Sequence, residues 1–270
     1  SNEGVQPNQL AGTIIWVFPL LIMIGLSCWQ AGQRRLGALC LVLSGGLILI
    51  LLLSQSRGGW LGGLAAISLL IWLGSFTADQ VSWYRYLRLG MPAAGILAIL
   101  LLIIVLEPQT ILNLWLDPPD RSLVGNLGTL SFRQEVWLWA VAALQDFPIT
   151  GTGLGTFRVV VYRLYPIPFP VTYDLAHAHN VFLQVGLDFG LPGLILYLSI
   201  LGTYFYLGAR LLFVPFSNRL IVMGLLSAMF GFHIYGLVDT IAIGAKPGLL
   251  FWLLLALMDG AWRLNYSDLR

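Results

Sequence analysis

Long apolar runs, each close to 20 residues and most of them joined by short connections, are the feature that most constrains the fold. We predict seven membrane-spanning helices from them, at residues 11–30, 37–54, 60–76, 90–106, 181–207, 219–238 and 247–262. Helices of this length cross a hydrocarbon core of about 30 Å. Only 10% of the residues are charged, whereas ordinary soluble domains have about 25%. The sequence therefore predicts an all-α, polytopic transmembrane helical bundle.

Arginines in the short connections predict the orientation of this bundle. They follow the first, third, fifth and seventh runs, as Arg34, Arg35, Arg85, Arg88, Arg210, Arg219, Arg263 and Arg270. Seven alternating helices place all eight on one side, which the positive-inside rule makes cytoplasmic. The long segment at about 107–180 then forms an outer, periplasmic loop. We expect a multi-pass protein of the bacterial inner (plasma) membrane whose active face is periplasmic.

The domain organisation is predicted to be simple. Residues 1–270 form a single integral membrane domain, and the polar start without an initiator Met suggests the later part of a longer chain. Within the outer loop, residues 131–146 have apolar residues at helical spacing and predict a short helix on the membrane surface. The sequence GTGLG at 151–155 then predicts a turn.

Two histidines, His177 and His179, stand directly before the fifth run in HAHNVFLQVGLDFGLPG. If a helix begins near Ala178 or His179, its positive end disfavours imidazolium and leaves a neutral ring that can act as a base. Asn180 adds an amide beside that ring. In one alternative both histidines are interfacial and bond loop carbonyls. In another they join Asp174 as metal ligands, although no Cys or further His completes a convincing set.

Five arginines are assigned to the outer face: Arg57, Arg121, Arg133, Arg158 and Arg163. Some of them must pair with nearby carboxylates, and two or three others would form a phosphate or pyrophosphate site, because guanidinium matches those oxygens in a bidentate fork. Arg57 lies in SQSRGGWLGG, a tight turn whose glycines permit close helix approach. The alternative for Arg57 is an interfacial arginine that snorkels to headgroups. A neutral histidine beside such an anion site suggests group transfer from a lipid-linked phosphate donor.

Three motifs in this order resemble those of a known family. His179 and Asn180 are followed by nine residues, Gly190, two residues and Gly193. An SRG turn precedes them at 56–58, and Arg133 stands four residues before Trp137, ahead of a turn rich in Pro and Gly. The chain resembles the O-antigen ligase and polymerase-like membrane proteins, and the resemblance covers about residues 5–260.

The resemblance implies a function in polysaccharide or lipopolysaccharide biosynthesis. It implies a metal-independent glycosyltransferase, without a cofactor, that moves a glycan from an undecaprenyl-diphosphate carrier to an acceptor hydroxyl. His179 would be the catalytic base, and Arg57 and Arg133 would hold the diphosphate. The supporting residues would be His177, Asn180, Gly190 and Gly193. The expected partners are the lipid-linked donor, a glycan, lipid or other acceptor, and membrane lipids, but no nucleic acid.

An alternative function comes from the same resemblance. QSRGGWLGG and the HAHN stretch are especially similar to a cyanobacterial branch whose members are called inorganic-carbon (bicarbonate) transporters. Transporters usually place charged or broken-helix sites near the middle of the membrane. The predicted spans here are nearly free of charge, and Asp188 and Asp239 are the nearest exceptions. Glycan transfer is therefore the first hypothesis, and bicarbonate transport or a transport-associated role is the second.

Overall fold

Helices make up the regular structure of the part of the chain that is described. A computed structural model describes residues 6–76, 86, 88–95, 130–166, 175–213, 218–241 and 246–267, and no strand occurs among them. The helices are α1 (Pro7–Gln30), α2 (Arg34–Leu53), α3 (Arg57–Gly74), α4 (Leu130–Asp146), α5 (Phe157–Leu164), α6 (Val181–Phe213), α7 (Arg219–Tyr235) and α8 (Leu249–Ser267). A 3₁₀ turn at Lys246–Gly248 precedes α8.

Five helices are long and apolar enough to cross a membrane: α1, α2, α3, α6 and the stretch Lys246–Asn265 that contains most of α8. A sixth apolar helix, α7, has 17 residues. The prediction of an all-α, multi-pass membrane protein is confirmed. Residues 88–95 are helical and include the start of the fourth predicted span, and the remainder of that span, 96–106, lies outside the described residues.

Helices α1, α3 and α7 form the centre of the bundle. Trp16 of α1 stacks on Phe232 of α7 with 3.9 Å between ring centroids. Helices α3 and α7 run antiparallel with their backbones in contact, because a Cβ on Gly62 would lie 2.7 Å from the carbonyl oxygen of Gly231. Small residues allow such close approach between membrane helices. This contact places the start of α3 beside the end of α7.

Replacing Gly62 with alanine should destabilise the bundle by about 1–3 kcal/mol, the usual cost of overpacking. The added methyl group would meet the Gly231 carbonyl, a backbone atom that cannot move without shifting α7. Gly45→Ala in α2 is the matched control, because nothing lies within 4 Å of the added carbon. Unfolding midpoints in detergent should fall for the first variant and stay level or rise for the second. Equal midpoints would contradict the α3–α7 contact.

The long helix α6 breaks at Gly190, as the LDFGLPG sequence predicts. Gly190 has φ 72° and ψ −176°, a conformation that strongly favours glycine, and Pro192 follows it. The glycine-rich loop at 148–155 is hydrogen-bonded to this break. Leu191 N–H donates to Pro148 O at 2.7 Å, and Thr152 N–H donates to Leu187 O at 2.6 Å. The predicted turn at 151–155 is confirmed, with positive φ at Gly151, Gly153 and Gly155.

A second apolar core holds the segment between the fourth and fifth predicted spans against α6. The predicted helix at 131–146 is confirmed as α4, and α5 follows the glycine-rich loop. Both helices bury side chains together with Leu175, Ala178 and Leu187, on either side of the start of α6. The residues around His179 are therefore packed between α4 and α6.

Candidate active site

The start of α6 is docked on the chain that leaves α7. Val181 N–H donates to Gly236 O at 2.7 Å, and the Asn180 side-chain amide donates to Leu237 O at 3.1 Å. Asn180 Oδ1 accepts the N–H groups of Phe182 and Leu183, both at 3.0 Å, and so acts as a helix N-cap. The helix therefore begins at Val181, where the predicted span at 181–207 also begins. The condition of a start near Ala178 or His179 is not met, because Asn180 caps the first N–H groups and His179 lies before the cap.

His179 contacts a buried carboxylate. Its Nδ1 lies 3.1 Å from Oδ1 of Asp239, a residue that is 3% exposed and follows α7. The His179 backbone has φ 50°, which is unusual for a residue other than glycine. Trp137 of α4 donates its indole N–H to His179 O at 3.3 Å. Two elements, the chain after α7 and helix α4, therefore hold this histidine in an uncommon backbone conformation, as often occurs at functional sites.

The charge of Asp239 decides which nitrogen of His179 can act as a base. Burial raises the pKa of the Asp239 carboxyl, but the His179 hydrogen bond, the positive charges that His179 and His177 carry when protonated, and the Thr240 N–H outweigh it and hold the pKa below its ordinary value. An ionised carboxylate only accepts hydrogen bonds. The proton of a neutral His179 ring is therefore on Nδ1, and the lone pair of Nε2 can accept a proton from a substrate.

Arg133 reaches the same carboxylate from α4. Its Nη2 lies 3.7 Å from Asp239 Oδ2, and its side chain is 19% exposed. Trp137 stands one helical turn later and contacts the same histidine segment. The structure thus brings Arg133 and His179 together through Asp239, a residue that lies outside the three sequence motifs. The available signal was an acidic residue directly after a long apolar run.

Arg57 begins α3 beside this cluster. Ser56 caps the helix by accepting the Gly59 N–H at 3.2 Å. A Cβ on Gly58 would lie 2.8 Å from Cγ2 of Val238, the residue before Asp239. The Arg57 side chain is exposed, and in the described part of the chain no hydrogen bond or ion pair holds its guanidinium. The backbone of Arg57 is therefore near the site, while no hydrogen bond or ion pair joins its side chain to Asp239 or His179.

His177 is the second histidine of the pair. Its ring lies 4.3 Å from that of His179, and its Nδ1 accepts the His179 N–H at 3.4 Å, a long hydrogen bond. Ligand atoms of His177, His179 and Asp239 all lie within 4.8 Å of one another. These are donor types that zinc accepts, but Arg133 beside Asp239 opposes a further cation. Asp174, the ligand considered from sequence, lies outside the described residues.

A chain of hydrogen bonds connects this segment to the glycine-rich loop. Ala178 N–H donates to Gln184 Oε1 at 2.8 Å, and Gln184 Nε2 donates to Asp188 Oδ1 at 2.9 Å. The same Asp188 oxygen accepts the Gly155 N–H at 3.1 Å. Gln184 and Asp188 are both buried. Asp188, which the transport hypothesis singles out, therefore ties the loop to α6 and to the backbone between the two histidines.

Replacing Gln184 with methionine should loosen the histidine segment. The variant retains the volume but leaves the Ala178 N–H without its acceptor, at a cost of about 1–3 kcal/mol. We expect faster hydrogen exchange in peptides that cover 175–180 and a lower unfolding midpoint. Ser199→Ala is the control, because this exposed hydroxyl donates to Ile195 O in the preceding turn of α6 and lies outside the histidine segment. Unchanged exchange in the Gln184 variant would show that the side chain does not hold the segment.

Comparison with known families identifies the chain. A family model described as O-antigen ligase matches residues 39–198, more than half of the sequence. The chain belongs to the O-antigen ligase family. The match includes Arg57, Arg133 and His179 and ends before Asp239. A search of curated proteins finds no match.

Membership of the O-antigen ligase family confirms the resemblance inferred from the three motifs. It supports a ligase-like function in a multi-pass membrane protein, with a lipid-linked glycan and an acceptor as partners. The similarity to the bicarbonate-transporter branch stays a prediction.

Proposed function

We propose that this O-antigen ligase family member transfers a glycan from an undecaprenyl-diphosphate carrier to an acceptor hydroxyl. The reaction would occur at the periplasmic face of the bacterial inner membrane. The observation that carries the proposal is the hydrogen bond between Nδ1 of His179 and the buried Asp239 carboxylate, next to Arg133. This arrangement directs the lone pair of Nε2 away from Asp239, as a general base requires.

The chemistry uses one proton transfer and one displacement. His179 Nε2 accepts the acceptor's hydroxyl proton while the oxygen forms a bond to the anomeric carbon of the donor glycan. The bond from that carbon to the diphosphate oxygen breaks, and undecaprenyl diphosphate leaves with the electron pair. The imidazolium that forms is stabilised by the Asp239 carboxylate, as in other His–Asp pairs. No metal and no cofactor takes part in the proposed step.

The arginines would stabilise the departing diphosphate. Negative charge grows on the diphosphate oxygens as the glycosidic bond breaks, so contacts there lower the barrier more than they strengthen ground-state binding. Arg57 is exposed at the start of α3, and Arg133 is only partly buried. Because Asp239 offsets part of the charge of Arg133, we assign the larger share of diphosphate binding to Arg57.

Replacing Arg57 with glutamine should lower kcat of glycan transfer by about 10²-fold, the order expected on loss of one charge-stabilising donor. Arg158→Gln is the matched control, because Arg158 is an exposed arginine on α5, outside the Asp239 cluster. The measurement is turnover with purified donor and acceptor in proteoliposomes. Equal turnover rates for the two variants would show that Arg57 does not take part in diphosphate binding.

The proposed function is tested with wild-type protein in proteoliposomes that contain EDTA. One assay follows release of undecaprenyl diphosphate and labelling of the acceptor, and a parallel assay follows uptake of labelled bicarbonate. Transfer that persists in EDTA supports the proposal. If no lipid-linked donor in a panel supports glycan transfer and bicarbonate is taken up, the proposed function is overturned and the transport alternative is favoured.

A further inference from the structure

A cavity of about 500 Å³ lies between the ends of α3, α6 and α7. Its walls are mainly apolar, with Trp72 of α3 and Phe76 just after that helix, Phe205 and Leu212 from α6, and Leu226 from α7. Arg88 and Arg219 also line it. The volume is within the range of about 300–1,000 Å³ that is typical of small-molecule sites. An apolar cavity with two cationic side chains is suited to an amphiphile that carries negative charge.

The cavity is at the opposite end of the bundle from His179. Helix α3 begins at Arg57, beside the residue that precedes Asp239, and reaches the cavity at Trp72. Its 18 residues span about 27 Å at 1.5 Å per residue, close to the thickness of a hydrocarbon core. The cavity is therefore close to one hydrocarbon thickness away from the start of α3, and it is separate from the proposed catalytic site.

Arg88 is held in place at this cavity. Its Nε and Nη2 donate to Ser75 O at 3.0 and 2.6 Å, and its guanidinium carbon lies 4.9 Å from the centre of the Phe76 ring. Trp72 donates its indole N–H to Arg88 O at 3.2 Å. An arginine fixed in this way loses little further conformational entropy when an anion approaches. Because Arg219 is the first residue of α7, the positive end of the helix dipole adds to its charge.

We propose that this cavity binds one anionic phospholipid, with the phosphate near Arg88 and Arg219 and part of an acyl chain against the aromatic wall. Basic pockets between transmembrane helices are known to take anionic headgroups. A soluble phosphate would leave the apolar wall exposed to water, and a zwitterionic headgroup would gain less from two arginines. Such a lipid would join the ends of α3, α6 and α7. The proposal does not depend on the glycan-transfer function.

Native mass spectrometry of the detergent-purified chain tests this proposal with phosphatidylglycerol and phosphatidylcholine as probes. Ala209→Trp places an indole in the cavity without changing its charge, since Ala209 is exposed and lines it. Arg219→Gln removes one charge. Arg210→Gln is the matched control, because Arg210 is an exposed arginine in the last turn of α6. Unfolding midpoints confirm that each variant is folded before lipid is added.

We expect one tightly retained phosphatidylglycerol, a fall of about fivefold in its affinity for Arg219→Gln, and a loss of retention for Ala209→Trp. Arg210→Gln should behave as wild type, and phosphatidylcholine should be retained weakly by all of them. Equal retention of the two lipids by the wild type would overturn the proposal. The proposal would also be overturned if Ala209→Trp retained its phosphatidylglycerol, or if Arg210→Gln lost as much phosphatidylglycerol affinity as Arg219→Gln.

Discussion

Glycan transfer is expected to fall by about 10²- to 10⁴-fold when His179 is replaced by alanine, the range that a positioned general base contributes. Alanine removes the Nε2 lone pair that accepts the acceptor's proton, while Arg133 and Asp239 remain paired. The measurement is kcat with purified donor and acceptor, and donor binding by the same protein is measured separately. Donor affinity should change little, because the diphosphate is assigned to the arginines.

His177→Ala is the control for this prediction. The residue is also a histidine, it stands two positions earlier and its ring lies 4.3 Å from that of His179. The hydrogen bond to the Asp239 carboxylate, however, is made by Nδ1 of His179. We expect a loss of less than about tenfold, since His177 supports the segment and does not accept the proton. Equal losses for the two variants would point to a shared structural or metal-binding role and against a single base.

The second large effect is expected for Asp239→Asn, which should lower kcat by about 10²- to 10⁴-fold. The corresponding change in Ser-His-Asp triads lowers kcat about 10⁴-fold. The asparagine amide can donate a hydrogen bond to Nδ1 of His179, which moves the ring proton to Nε2 and blocks the base. The variant is nearly isosteric, so the packing between the end of α7 and the start of α6 should persist. The fall in kcat would then come from the wrong tautomer of His179 and not from a lost packing contact.

A spectroscopic measurement separates this cause from a merely structural effect. Nitrogen-15 NMR of histidine-labelled protein should show the His179 proton on Nδ1 in the wild type and on Nε2 in Asp239→Asn. Asp259→Asn is the control, because this carboxylate is 53% exposed and its ion pair with Arg263 contributes little. An Asp239→Asn protein with wild-type kcat, or with an unchanged tautomer, would refute the role given to Asp239.

Much of the fold was determined by local properties of the sequence. The length of the apolar runs predicted an all-α membrane protein, because a helix that crosses lipid needs a certain number of apolar residues whatever its neighbours are. The break in α6 followed from Gly190 and Pro192, whose backbone preferences are intrinsic. The motifs around Arg57, Arg133 and His179 also pointed to the O-antigen ligase family, because residue type and spacing alone define them.

Tertiary structure alone decided which side chains meet. Asp239 lies 60 residues beyond His179 and reaches it only because the chain leaving α7 is docked on the first turn of α6. The sequence suggested Asp174 as an acidic neighbour only in the alternative metal site. The role of Asn180 likewise depends on tertiary contacts, because its side chain caps α6 and also bonds the chain that leaves α7. Contacts between distant segments depend on helix packing, and a single sequence specifies span lengths without specifying which spans are adjacent.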